Sequence, residues 1–454
     1  MSRSSIVVLA FIIGLMGSIL LSLEAGLFES YLMEPQTDPD TIDLIPDASE
    51  IDYQVNTTTQ KVPEGWPNLF GPTFNSTAHN VSAPLTWEGE SPRVVWQKEI
   101  GIGYSSPVLS EGKVLIFSRK QEEEVLDAFN EKTGELLWSH AEPCTYECPF
   151  PPHSSGPYST PIVHQGKVWT QGAEGRFQCL ELETGKLLWS RDLKTEYDIP
   201  DPVFAVGHTP RLWNHQLLLN MGGAKAETGI VSLQPETGEQ LWSCTKDAAA
   251  YSTPAIATIH NQTYGFVLTG DGLVALDPEN GKVFWQFPFR ANIDDAESAT
   301  MPLVHGDLVV VSVYQAGTAC LRILPDHSYE EVWRQKRTLV SQFNPLIAIE
   351  GYLYGWHFSD RSFRCVELTT GKVQWKYNSG LGRGTHIQIG NRFLLYGENG
   401  GLGMITARPD ELEILKPSTQ PLLEEPAFSA PAYHNGHVFL RNEKSVLCVE
   451  LIEE

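Results

Sequence analysis

Ala275-Leu276-Asp277-Pro278-Glu279-Asn280-Gly281-Lys282-Val283-Phe284-Trp285 sets a small residue ten positions before a tryptophan, across an Asp-to-Gly turn. The spacing recurs as Ala128 to Trp138, Cys179 to Trp189, Ser232 to Trp242 and Cys365 to Trp375, with Thr133-Gly134, Thr184-Gly185, Thr237-Gly238 and Thr370-Gly371 in the turns. Upstream of each copy lies an opening proline: Pro107, Pro161, Pro210, Pro254, Pro302, Pro345 and Pro431. Trp333 closes a copy that has lost its Gly turn, and a degenerate copy opens near His386 with Ile414 at the tryptophan position. Between these marks lie short apolar runs of strand composition, such as Lys113-Val114-Leu115-Ile116-Phe117. Eight units of roughly 45 residues, each with four short strands, predict an all-β, eight-bladed β-propeller of four-stranded blades. The last unit stops at Leu447-Cys448-Val449-Glu450-Leu451, one strand short, while Val94-Val95-Trp96 stands unassigned near the start. The N-terminal strand is therefore expected to complete the last blade, removing two open sheet edges.

The chain has 454 residues, with 32 basic against 56 acidic and a net charge of −24. That balance excludes a nucleic-acid binder, which needs clustered Lys and Arg. Residues 1–23 carry Arg3 and then an 18-residue apolar run, Ile6 to Leu23, the pattern of a signal anchor or signal peptide. Either form places the remainder outside the cytoplasm, in the periplasm or at the cell surface. Residues 24–65 hold ten acids and one base, Lys61, with four prolines, and read as an acidic, extended and mobile stalk. The propeller then occupies residues 66–454, and a monomer is expected.

The small-x-Asp-x-x-x-Gly-x-x-x-Trp pattern, complete at Ala275, Asp277, Gly281 and Trp285, resembles the tryptophan-docking motif of pyrroloquinoline quinone (PQQ) repeats. Trp66-Pro67-Asn68-Leu69-Phe70-Gly71-Pro72 is similar to a short segment preceding such propellers in bacterial exported proteins. The resemblance implies the fold and the docking of blade on blade. It spans both quinoprotein dehydrogenases and a non-enzymatic lipoprotein of the outer-membrane β-barrel assembly machinery. The adjacent Cys-Cys pair of quinoprotein alcohol dehydrogenases, a Cys-x-x-Cys-His haem site and a lipobox cysteine are all missing from this sequence.

The links between blades all emerge on one face, and the longest run beside blades one to three: 22 residues from Trp138 to Pro161 and 20 from Trp189 to Pro210. Loops on a rigid scaffold are where binding usually resides, so this face is the expected contact surface for an envelope protein or other macromolecule. The longest link holds Cys144, Cys148 and His153. In an exported chain a Cys144–Cys148 disulfide is expected, with Cys244 as the rival partner. The three residues lack a fourth zinc ligand, and no metal is expected. Cys179, Cys320, Cys365 and Cys448 share the small-residue register and read as core fillers.

Residues just before the opening prolines begin the innermost strands and should ring the channel mouth: Tyr104, Ser105, Tyr158, Ser159, His208, Tyr251, Ser252, Gln342, Asn344, Arg383 and His386. They are candidates for a small-ligand site, with Arg383 or Arg290 available to an anion such as a quinone carboxylate. The acidic group Asp294, Asp295 and Glu297 is a weak start for calcium. Neither a His-Glu-x-x-His helix nor a Gly-x-Ser-x-Gly elbow occurs, and no catalytic residue is assigned. The expected function is a membrane-tethered, non-catalytic binding or scaffold propeller at the cell envelope, without cofactor. The alternative is a PQQ-dependent oxidoreductase or PQQ-binding protein, with calcium, at an atypical site.

Overall fold

The repeated strands assemble into eight antiparallel four-stranded sheets in chain order. The computed structural model describes residues 63–79, 81–200, 205–225, 227–291 and 299–454, together with the backbone of 41–44. The apolar run at 6–23, most of the acidic segment and the group Asp294, Asp295 and Glu297 lie outside the described residues. Among those described, no helix is long and apolar enough to cross a membrane.

Blade 1 runs outward from the axis as Val108–Ser110, Lys113–Lys120, Glu123–Asn130 and Leu136–Pro143. Blades 2 to 7 repeat this order and end at Leu187–Asp192, Gln240–Cys244, Val283–Pro288, Tyr329–Gln335, Val373–Asn378 and Leu412–Lys416. Blade 8 takes Ala432–His434, His437–Arg441 and Ser445–Glu450 from the C-terminal end and Arg93–Glu99 from the N-terminal side. Trp96 lies opposite Cys448 in that sheet. The closure expected from the truncated last repeat is thus present. Beyond it, Leu85–Thr86 pairs with Ile452–Glu453 and secures the C-terminus.

The ten-residue spacing has a direct structural cause. In each blade the small residue lies across from the tryptophan: Ala128 from Trp138, Cys179 from Trp189, Ala275 from Trp285, Cys365 from Trp375. Immediately after it the register shifts by a bulge, which twists the outer strand. Cys320 faces Trp333 in blade 5, and Ile405 faces Ile414 in blade 7. Cys179, Cys320, Cys365 and Cys448 are accordingly buried fillers of this position.

Each tryptophan then docks on the next blade. Five of the indole N–H groups donate to a turn carbonyl there: Trp96 to Glu131 at 2.9 Å, Trp138 to Leu182 at 3.0 Å, Trp189 to Pro235 at 3.1 Å, Trp333 to Leu368 at 2.8 Å and Trp375 to Arg408 at 2.7 Å. Trp242 instead donates to Gln216 Oε1 of its own blade at 2.8 Å, and the Trp285 N–H is buried without a hydrogen-bond partner. The turn glycine must be bare because the ring lies on it. A Cβ on Gly134 would stand 2.7 Å from Trp96 Cδ2. Blade 5, which lost its glycine, substitutes Tyr329, whose ring centroid is 4.5 Å from that of Trp285.

Two features were not foreseen. Thr41–Leu44, inside the segment read as a mobile stalk, pairs antiparallel with Val373–Asn378 as a fifth strand on blade 6. The segment around Trp66–Pro72 runs across inner strands. Trp66 exchanges two 2.9 Å backbone bonds with Leu109 of blade 1, and Pro67 O accepts from Val163 N of blade 2 at 2.7 Å. The Arg211 guanidinium of blade 3 sits 3.6 Å over the Phe74 ring, and Thr77–Ala78 pairs in parallel with Gln388–Ile389 of blade 7.

Candidate functional site

Inner strands converge on the propeller axis, and the segment just described carries Leu69 and Phe70 into that space. The result is a cavity of about 160 Å³ on the axis. All eight blades line it: Tyr104 and Ser106, then Tyr158 and Thr160, Gly207 and Thr209, Tyr251, Ala299, Gln342 and Phe343, Arg383 and Thr385, and Phe428 and Ala430. His153, from the longest link, reaches it as well.

The lining follows a period of two counted back from each opening proline. The residue three before the proline faces the cavity in seven blades: Tyr104, Tyr158, Gly207, Tyr251, Ala299, Gln342 and Phe428. The residue two before it usually turns back into the blade, as Ser105, Ser159, His208, Ser252 and Thr300 do, all buried and outside the lining. Of the eleven candidates read from sequence, Tyr104, Tyr158, Tyr251, Gln342 and Arg383 therefore line the cavity. Ser105, Ser159, His208, Ser252, Asn344 and His386 do not. Phe343, Phe428, Thr160, Thr209 and Thr385 were missed, although strict alternation from the proline would have found most of them. Gly207 keeps the ring close-packed, since a Cβ there would stand 2.7 Å from Tyr251 Cδ1 and 3.0 Å from Tyr158 Cβ.

The mouth is aromatic. Tyr104 lies 4.8 Å from Tyr158 and edge-on to Phe428 at 5.4 Å, and Phe343 meets Phe428 at 5.6 Å. Arg383 stands between Phe358 at 5.5 Å and Phe428 at 5.1 Å, while its Nε donates to Glu398 Oε2 at 2.7 Å. The only Arg or Lys among the described lining residues is thus already neutralised by a carboxylate. His153 is held below the usual imidazole range by burial, and the Arg383 charge adds to that.

The two ring histidines are core groups. Burial drives the imidazoles of His208 and His386 down to about 3. His386 packs edge-on to Phe363 at 5.0 Å, and neither of its ring nitrogens has a protein partner. A base depressed in the folded state leaves stability unchanged above its unfolded pKa, near 6.5. Below that value the unfolded chain takes up a proton that the folded one refuses. Stability then falls by about 1.4 kcal/mol per pH unit towards pH 3. His386→Leu is expected to remove about 2 kcal/mol of the stability loss between pH 7 and pH 5. Urea midpoints at the two pH values measure it, and an unchanged pH slope would contradict the assignment.

No bridge joins Cys144 and Cys148, and all seven cysteines are thiols. The two point at different neighbours. Cys144 packs with Ala173 and Ala205, and its N–H donates to Glu122 O at 2.8 Å, whereas the Cys148 sulfur lies 3.9 Å from Phe150 O. Burial, with the nearby Glu124 carboxylate, pushes the Cys144 thiol up to about 12, far from a metal-binding thiolate. Among the described residues no three metal-ligating groups converge. The link is pinned instead by buried Arg119, which donates to Tyr146 O, to Ser155 O at 3.1 Å and to Glu147 Oε1 at 3.0 Å. Ser139 to Pro143, counted from sequence as link, continue the outer strand.

Comparison with known proteins gives two kinds of likeness. The PQQ_2 family model, described as outer membrane protein assembly factor BamB, matches residues 121–377, more than half of the chain. Dehydrogenase subunits of quinone alcohol dehydrogenases from Gluconobacter oxydans (strain 621H) and Acetobacter aceti are 27% and 26% identical over 154 residues. Those matches cover 29% of this chain and only 19% of either relative. In three dimensions the chain is similar to BamB from Moraxella catarrhalis, with a TM-score of 0.56 and 13% identity over 81% of this chain and 98% of that one. It is similar too to the quinohemoprotein alcohol dehydrogenase of Comamonas testosteroni, with a TM-score of 0.56 and 13% identity over 85% of this chain and 80% of that one. At such identity the structural likeness establishes the fold alone.

Proposed function

Since the chain belongs to the PQQ-repeat family described as outer membrane protein assembly factor BamB, we propose that it is a non-catalytic binding module of the cell envelope, held there by its N-terminal segment. Its partner is another envelope protein, met on the face that carries the inter-blade links and the aromatic mouth. The observation that carries this reading is the axial cavity. Its volume of about 160 Å³ is roughly half the lower end of the ~300–1,000 Å³ usual for small-molecule sites. The quinone is a tricyclic tricarboxylate, and the lining does not suit it. Arg383 is bound to Glu398, the described lining contains no Asp or Glu to hold calcium, and Leu69 and Phe70 occupy part of the axis. A mouth of Tyr, Phe and Arg has instead the composition of a protein-binding hot spot.

The dehydrogenase matches favour a second reading, a quinone-binding protein. Titration of the folded protein with PQQ and calcium separates the two. We expect no rise in Tm and no change in the quinone absorbance. A saturable rise in Tm would overturn the binding-module reading, because a ligand selective for the folded state must stabilise it.

A further inference from the structure

The size of the axial cavity restricts what can enter it. Its volume of about 160 Å³ is close to that of an apolar cavity that holds one benzene, about 150 Å³. One six-membered ring fills such a space, and a fused ring system does not enter. Tyr104, Tyr158, Phe343 and Phe428 line it. Ser154 of the longest link fixes the first two rings. Its N–H donates to Tyr104 Oη at 3.1 Å, and its carbonyl accepts from Tyr158 Oη at 3.1 Å. Aromatic walls held in this way favour a flat guest, met edge-on or by offset stacking.

The polar part of the lining is a set of hydroxyls. Thr160 Oγ1 accepts from Ser106 N and Thr209 Oγ1 from Thr160 N, both at 3.0 Å, which leaves each hydroxyl proton to give elsewhere. Thr385 is only 3% exposed, and its hydroxyl has no partner among the described residues. A buried hydroxyl without a partner costs free energy that a guest with one polar atom recovers. The described lining contains no Asp, Glu or Lys, and Arg383 is already bound to Glu398. A charged guest therefore finds no counter-ion, and a purely apolar one leaves Thr385 unmatched. We propose that the axial cavity receives a single tyrosine side chain of the partner protein, its ring among the aromatic walls and its hydroxyl paired with Thr385. This rests on the reading of the mouth as a protein contact, and it names the residue type that enters.

The test uses the full chain with two probes, p-cresol, which is the tyrosine side chain alone, and toluene, the same ring without the hydroxyl. Ligand-observed NMR titrations give a dissociation constant for each. Saturable binding of p-cresol is expected. Thr385→Val should weaken p-cresol by about fivefold and leave toluene unchanged. Thr385→Ser keeps a hydroxyl and should bind p-cresol as the parent does. Phe428→Leu removes an aromatic wall and should weaken both probes, which gives a second readout if the valine variant fails to fold. Urea unfolding checks the fold of each variant. Absence of saturable binding at millimolar p-cresol overturns the proposal. Unchanged p-cresol binding in Thr385→Val, or equal weakening of both probes there, overturns it too. Either failure leaves the binding-module reading in place, because that reading falls only to a response in the quinone titration.

Discussion

An Arg441→Ala protein is expected to lose about 3–5 kcal/mol of unfolding free energy, the largest effect of any single side chain at the closure. Arg441 is fully buried in blade 8 and donates to four carbonyls: Asn442 at 3.1 Å, Ser105 at 3.1 Å, Phe117 at 2.8 Å and Gly101 at 3.1 Å. Three of these belong to blade 1 or to the chain leading into it. The guanidinium therefore bolts the last blade to the first, at the seam that the N-terminal strand also closes. Its removal strands buried acceptors with no water to replace the donors. Arg441→Lys should recover only part of the loss, because one ammonium cannot reach acceptors on opposite sides as a planar fork does. Urea midpoints of the three proteins measure this. Equal stability of the alanine variant and the parent would show that the seam rests on strand pairing alone.

The second large effect concerns a glycine whose ring contact and backbone angle can be separated. Gly134 has φ +66° and lies against Trp96 across the same seam. Alanine there meets the left-handed backbone cost of about 1–2 kcal/mol and a ring 2.7 Å from its Cβ. We expect a total loss of about 3 kcal/mol. Gly306 shares the angle, φ +63°, but a Cβ there meets nothing within 4 Å. Gly306→Ala should cost only about 1 kcal/mol. If both substitutions cost the same in urea unfolding, the glycine is kept for its angle and ring docking is dispensable.

The fold was legible because it repeats. Ala275 and Trp285, read eight times with variations, specify strand pairing, bulge and blade contact at once. The missing strand at Leu451 pointed to Trp96 for the same reason. The candidate site was legible only in part. Position along the chain showed which residues begin the inner strands, but side-chain direction alternates, so Tyr104 faces the axis while Ser105 does not. Leu69 and Phe70 reach the cavity from an unrepeated segment, and no periodicity could place them. The thiols of Cys144 and Cys148 are near in sequence, and Cys144 packs against Ala173 and Ala205, residues far from it in the chain. That packing is a tertiary contact and leaves no mark on spacing.

Closure by the N-terminal strand also sets an order of events in time. Glu99 and Ser445 pair in blade 8 although 346 positions separate them. At about 5–20 residues per second of synthesis, Arg93–Glu99 exists for roughly 20–70 s before its partner strand is made. During that interval Val94, Val95 and Trp96 form an apolar strand without a sheet. The ring can be completed only after the whole chain is available, whatever the earlier blades have done. A chain interrupted before Ser445 leaves Arg93–Glu99 without its partner strand.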